Sequence, residues 1–116
     1  MHVRVKRVYE RPELDDGMRV LVDRLWPRGL SKDKAAIDLW AKDVAPSDAL
    51  RRWFHAHREQ WQAFAARYRD ELADRPEALA DLRAATAGHT TVTLLYGSRD
   101  TARNNAVVLA DVLRSH

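Results

Sequence analysis

The chain has 116 residues, enough for one domain and too few for two, and its 46% hydrophobic and 32% charged residues fit an ordinary globule with an adequate core. The absence of cysteine excludes disulfides, thiolate nucleophiles and Cys-ligated zinc; no apolar run approaches a membrane span, and the N-terminus MHVRVKRVYE lacks the apolar core of a secretory signal, so a cytoplasmic protein with no membrane partner is expected. The net charge of +3 is modest beside the dense patches of nucleic-acid binders, but residues 1–34 hold nine Lys/Arg against six Asp/Glu and the remainder eleven of each, so the whole excess sits in the N-terminal third.

Val3 and Val5, with Tyr9 beyond them, alternate with His2, Arg4 and Lys6, which predicts a half-exposed strand over about residues 2–9. Pro12 and the turn signal Asp15-Asp16-Gly17 end it. A second strand is expected over about 18–23, either paired with the first as an antiparallel hairpin or lying as its neighbour. Ser31 is a candidate N-cap for a short helical turn over 31–36, and Ile37, Leu39 and Trp40 read as an extended piece that Pro46 ends.

Ser47 is placed to cap a helix carrying Leu50, Trp53, Phe54 and His57 at i, i+3, i+4 and i+7. A longer helix over about 58–73 presents Trp61, Phe64, Tyr68 and Leu72 on one face. Pro76 suits the first turn of another, with its cap near Asp74 or Arg75, an inner stripe of Leu79, Leu82 and Ala85, and Gly88 as its stop. Thr90–Tyr96 (TTVTLLY) is the clearest strand, followed by the turn Gly97–Asp100 and a closing helix over about 101–114. Strand, helices, strand and helix in this order predict βαβ wiring. The expectation is a single α/β domain over 1–116 with a small, mostly parallel sheet of about three to four strands flanked by helices.

Two loops stand out as candidate sites. In RVLVDRLWPRGL, residues 19–30, an apolar strand empties into Asp23, Arg24, Trp26 and Arg28, shaped by Pro27 and Gly29. Loops beyond rigid strand ends are where α/β folds build sites. Arg24 and Arg28 are placed to flank a ligand, with Trp26 as a stacking platform; equally, Asp23 can pair with an arginine and Trp26 can cover the core. In YGSRD, Arg99 offers a bidentate contact to phosphate or carboxylate at a helix start, whereas Asp100 can cap that helix and occupy the same N–H groups. Asn104 on the first turn faces the same crevice. In a parallel sheet, 24–29 and 97–100 both lie at strand carboxyl ends, and Lys42 and Asp43 can complete the rim.

Other chemistry finds little support. Trp53, Phe54, Trp61, Phe64 and Tyr68 at helical spacing read as core. His55 and His57, two apart on a helix, point in different directions and are poor partners for one metal. The sequence names no cofactor; a flat tetrapyrrole among the tryptophans is disfavoured because no histidine is clearly placed as its axial ligand. No P-loop, GxGxxG or HExxH pattern appears, and YGSRD lacks nucleophile-elbow spacing.

The motifs RVLVDRLWPRG, DLWAKDVAPS, LRRWF, a helix of the form W…F…RY…EL, and VTLLYGSRD followed by N.A together resemble the YeaO-like family, a domain of unknown function numbered 488, from about Val5 to Leu113. The resemblance implies a compact bacterial or archaeal α/β domain and no particular reaction. It places the family's polar motif positions at Asp23, Arg24, Trp26, Arg28, Lys42, Arg99, Asp100 and Asn104. More distant branches of the wider family carry cysteines around the segment aligned with 97–105. This chain has none, so no thiol or metal ligand carries over.

Two functional readings follow. In the first, a small phosphate- or carboxylate-bearing ligand sits between Arg24/Arg28 and Arg99, with Asp23 or Asp100 as the only credible acid/base groups and the reaction, if any, unspecified. In the second, the basic N-terminal third serves a non-catalytic module that binds nucleic acid or a protein. Salt dependence separates them. The sequence leaves the oligomeric state open.

Overall fold

Strand-forming residues recur in four places, and in the computed structural model, which describes residues 1–115, they join in one sheet. The strands are β1 (His2–Arg7), β2 (Met18–Leu21), β3 (Leu39–Trp40) and β4 (Thr91–Tyr96), ordered β1-β4-β2-β3, with every neighbouring pair parallel. The parallel α/β expectation is therefore met. Neither alternative for the first two strands is: β1 and β2 form no antiparallel hairpin and are not neighbours, because β4 lies between them, pairing Val5 with Leu94 on one side and Val20 with Leu94 on the other. Leu94 is thus in the centre of the sheet, and β4 (TVTLLY) is buried on both faces from Val92 to Tyr96.

Five helices complete the chain: α1 (Lys32–Ala35), α2 (Asp48–Ala56), α3 (Trp61–Ala73), α4 (Pro76–Thr86) and α5 (Asn105–Arg114). Ser31 and Ser47 cap α1 and α2 as their positions predict, their hydroxyls accepting from the N–H groups of Lys34 and Leu50. Arg75 is the N-cap of α4, and Gly88 takes a positive φ just beyond its end. Phe54, Phe64, Tyr68 and Leu72 of α2 and α3 join Leu109 and Leu113 of α5 over the sheet face made by Val20, Val92 and Leu94. The aromatic run is core, as its spacing predicts: Phe54 and Phe64 stack with centroids 4.2 Å apart, and the buried Tyr68 hydroxyl donates to Val44 O. None of the helices described is long and apolar enough to cross a membrane.

The opposite face is divided. Its carboxyl half is apolar, with Val8, Leu21 and Leu95 covered by Trp26, Leu30, Ile37 and Trp40. Its amino half is ionic. Asp16 is fully buried, and it accepts from Lys6 Nζ at 3.0 Å and from the Arg19 guanidinium. Lys6 also reaches Glu13 and Arg11 O, and Arg19 donates to Ala35 O and Ala36 O. The alternation that makes Lys6 look solvent-facing is correct for the face and wrong for the exposure, because the segment around a short 3-10 helix at Leu14–Asp16 folds across it.

The last helix starts later than the sequence suggests. Residues 97–104 separate β4 from α5 without helical structure, and Asn104, not Asp100, is the N-cap of α5, its side-chain oxygen accepting from Val107 N. Asp100 instead caps a turn of its own, accepting from the N–H groups of Ala102 and Arg103. The expected helix dipole directly behind Gly97–Asp100 is therefore absent from that position.

Candidate functional site

The carboxyl ends of β2 and β4 open into a cleft of about 550 Å³. Three segments wall it: the 23–28 loop after β2, the loop after β4, and α2 with the residues that follow it. Asp23 ties the first two together. One carboxylate oxygen accepts from Gly97 N at 2.8 Å, and the other from Asn105 Nδ2 at 3.1 Å. The same Asn105 amide donates to Val22 O at 2.9 Å, so the end of β2, the end of β4 and the first residue of α5 form one rigid corner. Burial pushes the Asp23 carboxyl above its ordinary value, and the Gly97 and Asn105 hydrogen bonds only partly oppose it.

Asp23→Ala is expected to lower stability by about 1–3 kcal/mol, the cost of leaving the Gly97 and Asn105 donors without their acceptor. Chemical denaturation of the variant beside wild type measures this. An unchanged midpoint would mean that the corner is not held by this carboxylate.

The remaining sequence-chosen residues divide between cleft and elsewhere. Arg24 lines the cleft but is a strut, donating through Nε to Pro46 O at 3.0 Å. Trp26 lines it with part of its ring while its Nε1 donates to Leu30 O and its edge meets Trp40 at 5.4 Å between centroids. Trp26 therefore packs on the Val8, Leu21 and Leu95 cluster, as the core reading expects, while it also borders the cleft. Arg28 and Arg99 are exposed on the rim, and the Arg28 carbonyl is fixed by the Tyr9 hydroxyl. Asn104 borders the cleft from a buried position, committed to its cap and to Asp100 O.

Asp100 is not among the residues that line the cleft. Hydrogen bonds from Arg103 N and Ala102 N hold its carboxyl below the ordinary value. Lys42 is in a different place altogether: its ammonium lies 4.0 Å over the Trp40 ring, beside a separate groove between β3 and α4. Asp43 borders that groove too, so the structure does not bring the two to the rim of the cleft.

Sequence reasoning missed Arg51, Arg58, Arg103 and Asn105, all of which border the cleft. Arg51 and His55 lie i, i+4 on the polar side of α2, whose apolar stripe alone was informative, and Arg58 follows in the turn after it. Arg51 is engaged by Asp48 at 2.6 Å, and Arg58 lies 4.0 Å from Asp100. Arg28, Arg99 and Arg103 make no side-chain hydrogen bond or ion pair among the described residues. Six arginines thus face the cleft, against the single carboxylate of Asp23. Nor does a group of three or more His, Asp or Glu side chains converge among the described residues to hold a metal ion.

Residues 2–116 match the family model described as the inactive DUF488-N3 subclade. The chain belongs to this family. It is 44% identical over 118 residues to the uncharacterized protein YeaO of Escherichia coli K12, covering 99% of each chain. It is also 51% identical over 111 residues to the uncharacterized protein Rv3073c of Mycobacterium tuberculosis, covering 96% of this chain and 92% of the relative. No solved structure matches it significantly. The YeaO-like resemblance carried by RVLVDRLWPRG and VTLLYGSRD is thereby borne out. In this DUF488-N3 chain those two motifs are the two loops that Asp23 joins at the cleft.

Proposed function

We propose that the protein binds a small phosphate- or carboxylate-bearing ligand in the cleft at the carboxyl ends of β2 and β4, and that it does so without catalysis. One observation carries the reading: arginines from all three walls border a concavity whose single carboxylate among the described residues, Asp23, is already occupied by Gly97 N and Asn105 Nδ2. Arginine suits this task because its planar fork matches carboxylate and phosphate oxygens. The location fits the general placement of ligand sites outside the carboxyl ends of parallel strands. The family description of the subclade as inactive supports binding in preference to turnover. So does the state of Asp23, whose two carboxylate oxygens are already held by Gly97 N and Asn105 Nδ2.

The basic N-terminal third offers less to a nucleic-acid partner than its composition suggests. Lys6 and Arg19 are buried in ion pairs with Asp16, and Arg24 is bound to backbone carbonyls.

A thermal-shift screen of wild type and Arg99→Ala against phosphate, nucleotides and small carboxylates tests the proposal. A ligand present at about 100 times its dissociation constant adds about 2.7 kcal/mol, a rise of several degrees for a chain of this size. The shift is expected in wild type and reduced or lost in Arg99→Ala. Equal shifts in both proteins would remove Arg99 from the site, and no shift with any anion would sink the reading.

A further inference from the structure

The cleft is larger and more apolar than a lone oxyanion needs. Its volume of about 550 Å³ lies within the range of about 300–1,000 Å³ typical of sites for organic ligands. A bare phosphate would leave most of it filled with water. Leu25, Pro27 and Pro46 contribute apolar surface, and Leu25 is 58% exposed beside it.

One wall also sets a cation beside an aromatic pair. Phe64 stacks on Phe54 at 4.2 Å with an interplanar angle of 18°, and the Arg58 guanidinium lies over the Phe54 ring at 5.3 Å. Arg58 borders the cleft, and its approach to Asp100, at 4.0 Å between exposed side chains, is too loose to immobilise it. The stacked Phe54–Phe64 pair therefore carries a guanidinium beside it at the cleft wall, its central carbon 5.3 Å from the Phe54 centroid. A guanidinium held in this way accepts another π-system by stacking while adding positive charge. Arg28, Arg99 and Arg103 supply separate charge from the two loop walls.

We infer that the ligand is an anion with a planar heteroaromatic body, of mononucleotide size, whose ring stacks against Arg58 and whose phosphate is held by the arginines of the two loops. The inference rests on the anion-binding reading above and adds the ring to it. Aromatic stacking brings the affinity, and the hydrogen-bonding edges of Ser98 and Asn105 border the same space.

Calorimetric titration of the full chain with adenosine monophosphate, ribose 5-phosphate and inorganic phosphate separates the two levels. In wild type the nucleotide is expected to bind about tenfold or more tightly than ribose 5-phosphate, the low end of what one stacked base contributes. Arg58→Lys keeps a charge and removes the plane, so this ratio is expected to fall toward one. Arg69→Ala, which removes a surface cation paired with Asp111 outside the cleft, is expected to retain the wild-type ratio.

Equal wild-type affinities for the nucleotide and the sugar phosphate would overturn the ring proposal and leave the anion site standing. A ratio unaltered in Arg58→Lys would overturn Arg58 as the stacking plane. Failure of all three probes to bind would overturn the anion reading itself. Much tighter, steeply salt-dependent binding of a single-stranded oligonucleotide would replace the mononucleotide with a polymer.

Discussion

Asp16→Ala is expected to be among the most damaging single substitutions in this chain, lowering stability by about 3 kcal/mol. Breaking a buried charge cluster from one side costs roughly 3–5 kcal/mol because the partners left behind are charged and desolvated. Here the partners are Lys6 and Arg19, 8% and 4% exposed. The low end applies because each retains other acceptors: Glu13 and Arg11 O for Lys6, Ala35 O and Ala36 O for Arg19. Urea denaturation of wild type and variant gives the difference, with Arg69→Ala as a surface control expected to change stability by less than about 0.5 kcal/mol. A loss for Asp16→Ala no larger than the control's would show that the cluster is not a stabilising element.

The pH dependence of this loss has a definite sign. Burial disfavours the Asp16 charge, but hydrogen bonds from Glu13 N, Lys6 and Arg19 outweigh it and hold the carboxyl below its ordinary 3.8. Burial likewise opposes the Lys6 charge, and its hydrogen bonds to Glu13 and Asp16 outweigh that and raise it above 10.5. The Asp16 contribution is therefore fully present above pH 3.8 and is lost as pH falls through the lower folded value. The Lys6 contribution is fully present below pH 10.5 and is lost as pH rises through the higher folded value. The gap between wild type and Asp16→Ala should be flat between these limits and close at the acid end.

Gly17→Ala is expected to be comparably severe, at about 3 kcal/mol or more, for a different reason. Gly17 has φ +63 and ψ −135, a region open essentially to glycine alone and costing about 1–3 kcal/mol for other residues. A methyl group there would also meet Thr91 O at 2.1 Å. That oxygen belongs to the first residue of the central strand, whose register with β1 and β2 leaves it no room to retreat. Gly88→Ala is the comparison: its φ is also positive, at +88, but open space surrounds it, so only the backbone term applies. Melting temperatures of the two variants should rank Gly17→Ala well below Gly88→Ala. Equal losses would mean that the Thr91 contact relaxes without cost.

The same residues show what is legible in the chain. Parallel wiring follows from the order of the patterns, because helices between strands supply crossovers and a run such as TTVTLLY needs cover on both faces. The helix caps at Ser31 and Ser47 are local and were readable for that reason. Asp16 was not. In sequence it is one residue of an Asp-Asp-Gly turn, and only the return of the chain over β1 and β2 brings Lys6 and Arg19 to it.

The start of α5 was misread because Asp100 and Asn104 are both capping residues and lie four apart. Local pattern does not say which one opens a helix and which one closes a separate turn. For the site, the two strand-end loops were readable as places. The third wall was not, because Arg51 sits on the polar side of α2 and Arg58 in the turn after it, places where arginine is ordinary, and only packing brings them to the cleft. Lys42 failed to join the rim for a related reason: β3 is the edge strand, and the chain beyond it turns toward α4.

The most direct measurement is a two-dimensional amide NMR titration of the full chain with inorganic phosphate at low salt. Binding in the cleft should shift the amides of Arg24–Trp26 and Arg28, of Gly97–Asn105 and of the Arg51–Arg58 stretch, and leave Gly88–Thr91, at the opposite end of the sheet, unmoved. Shifts centred on Lys32 and Lys34, or on the Lys42 groove, with none at Gly97 and Asn105, would contradict the assignment of the cleft as the ligand site.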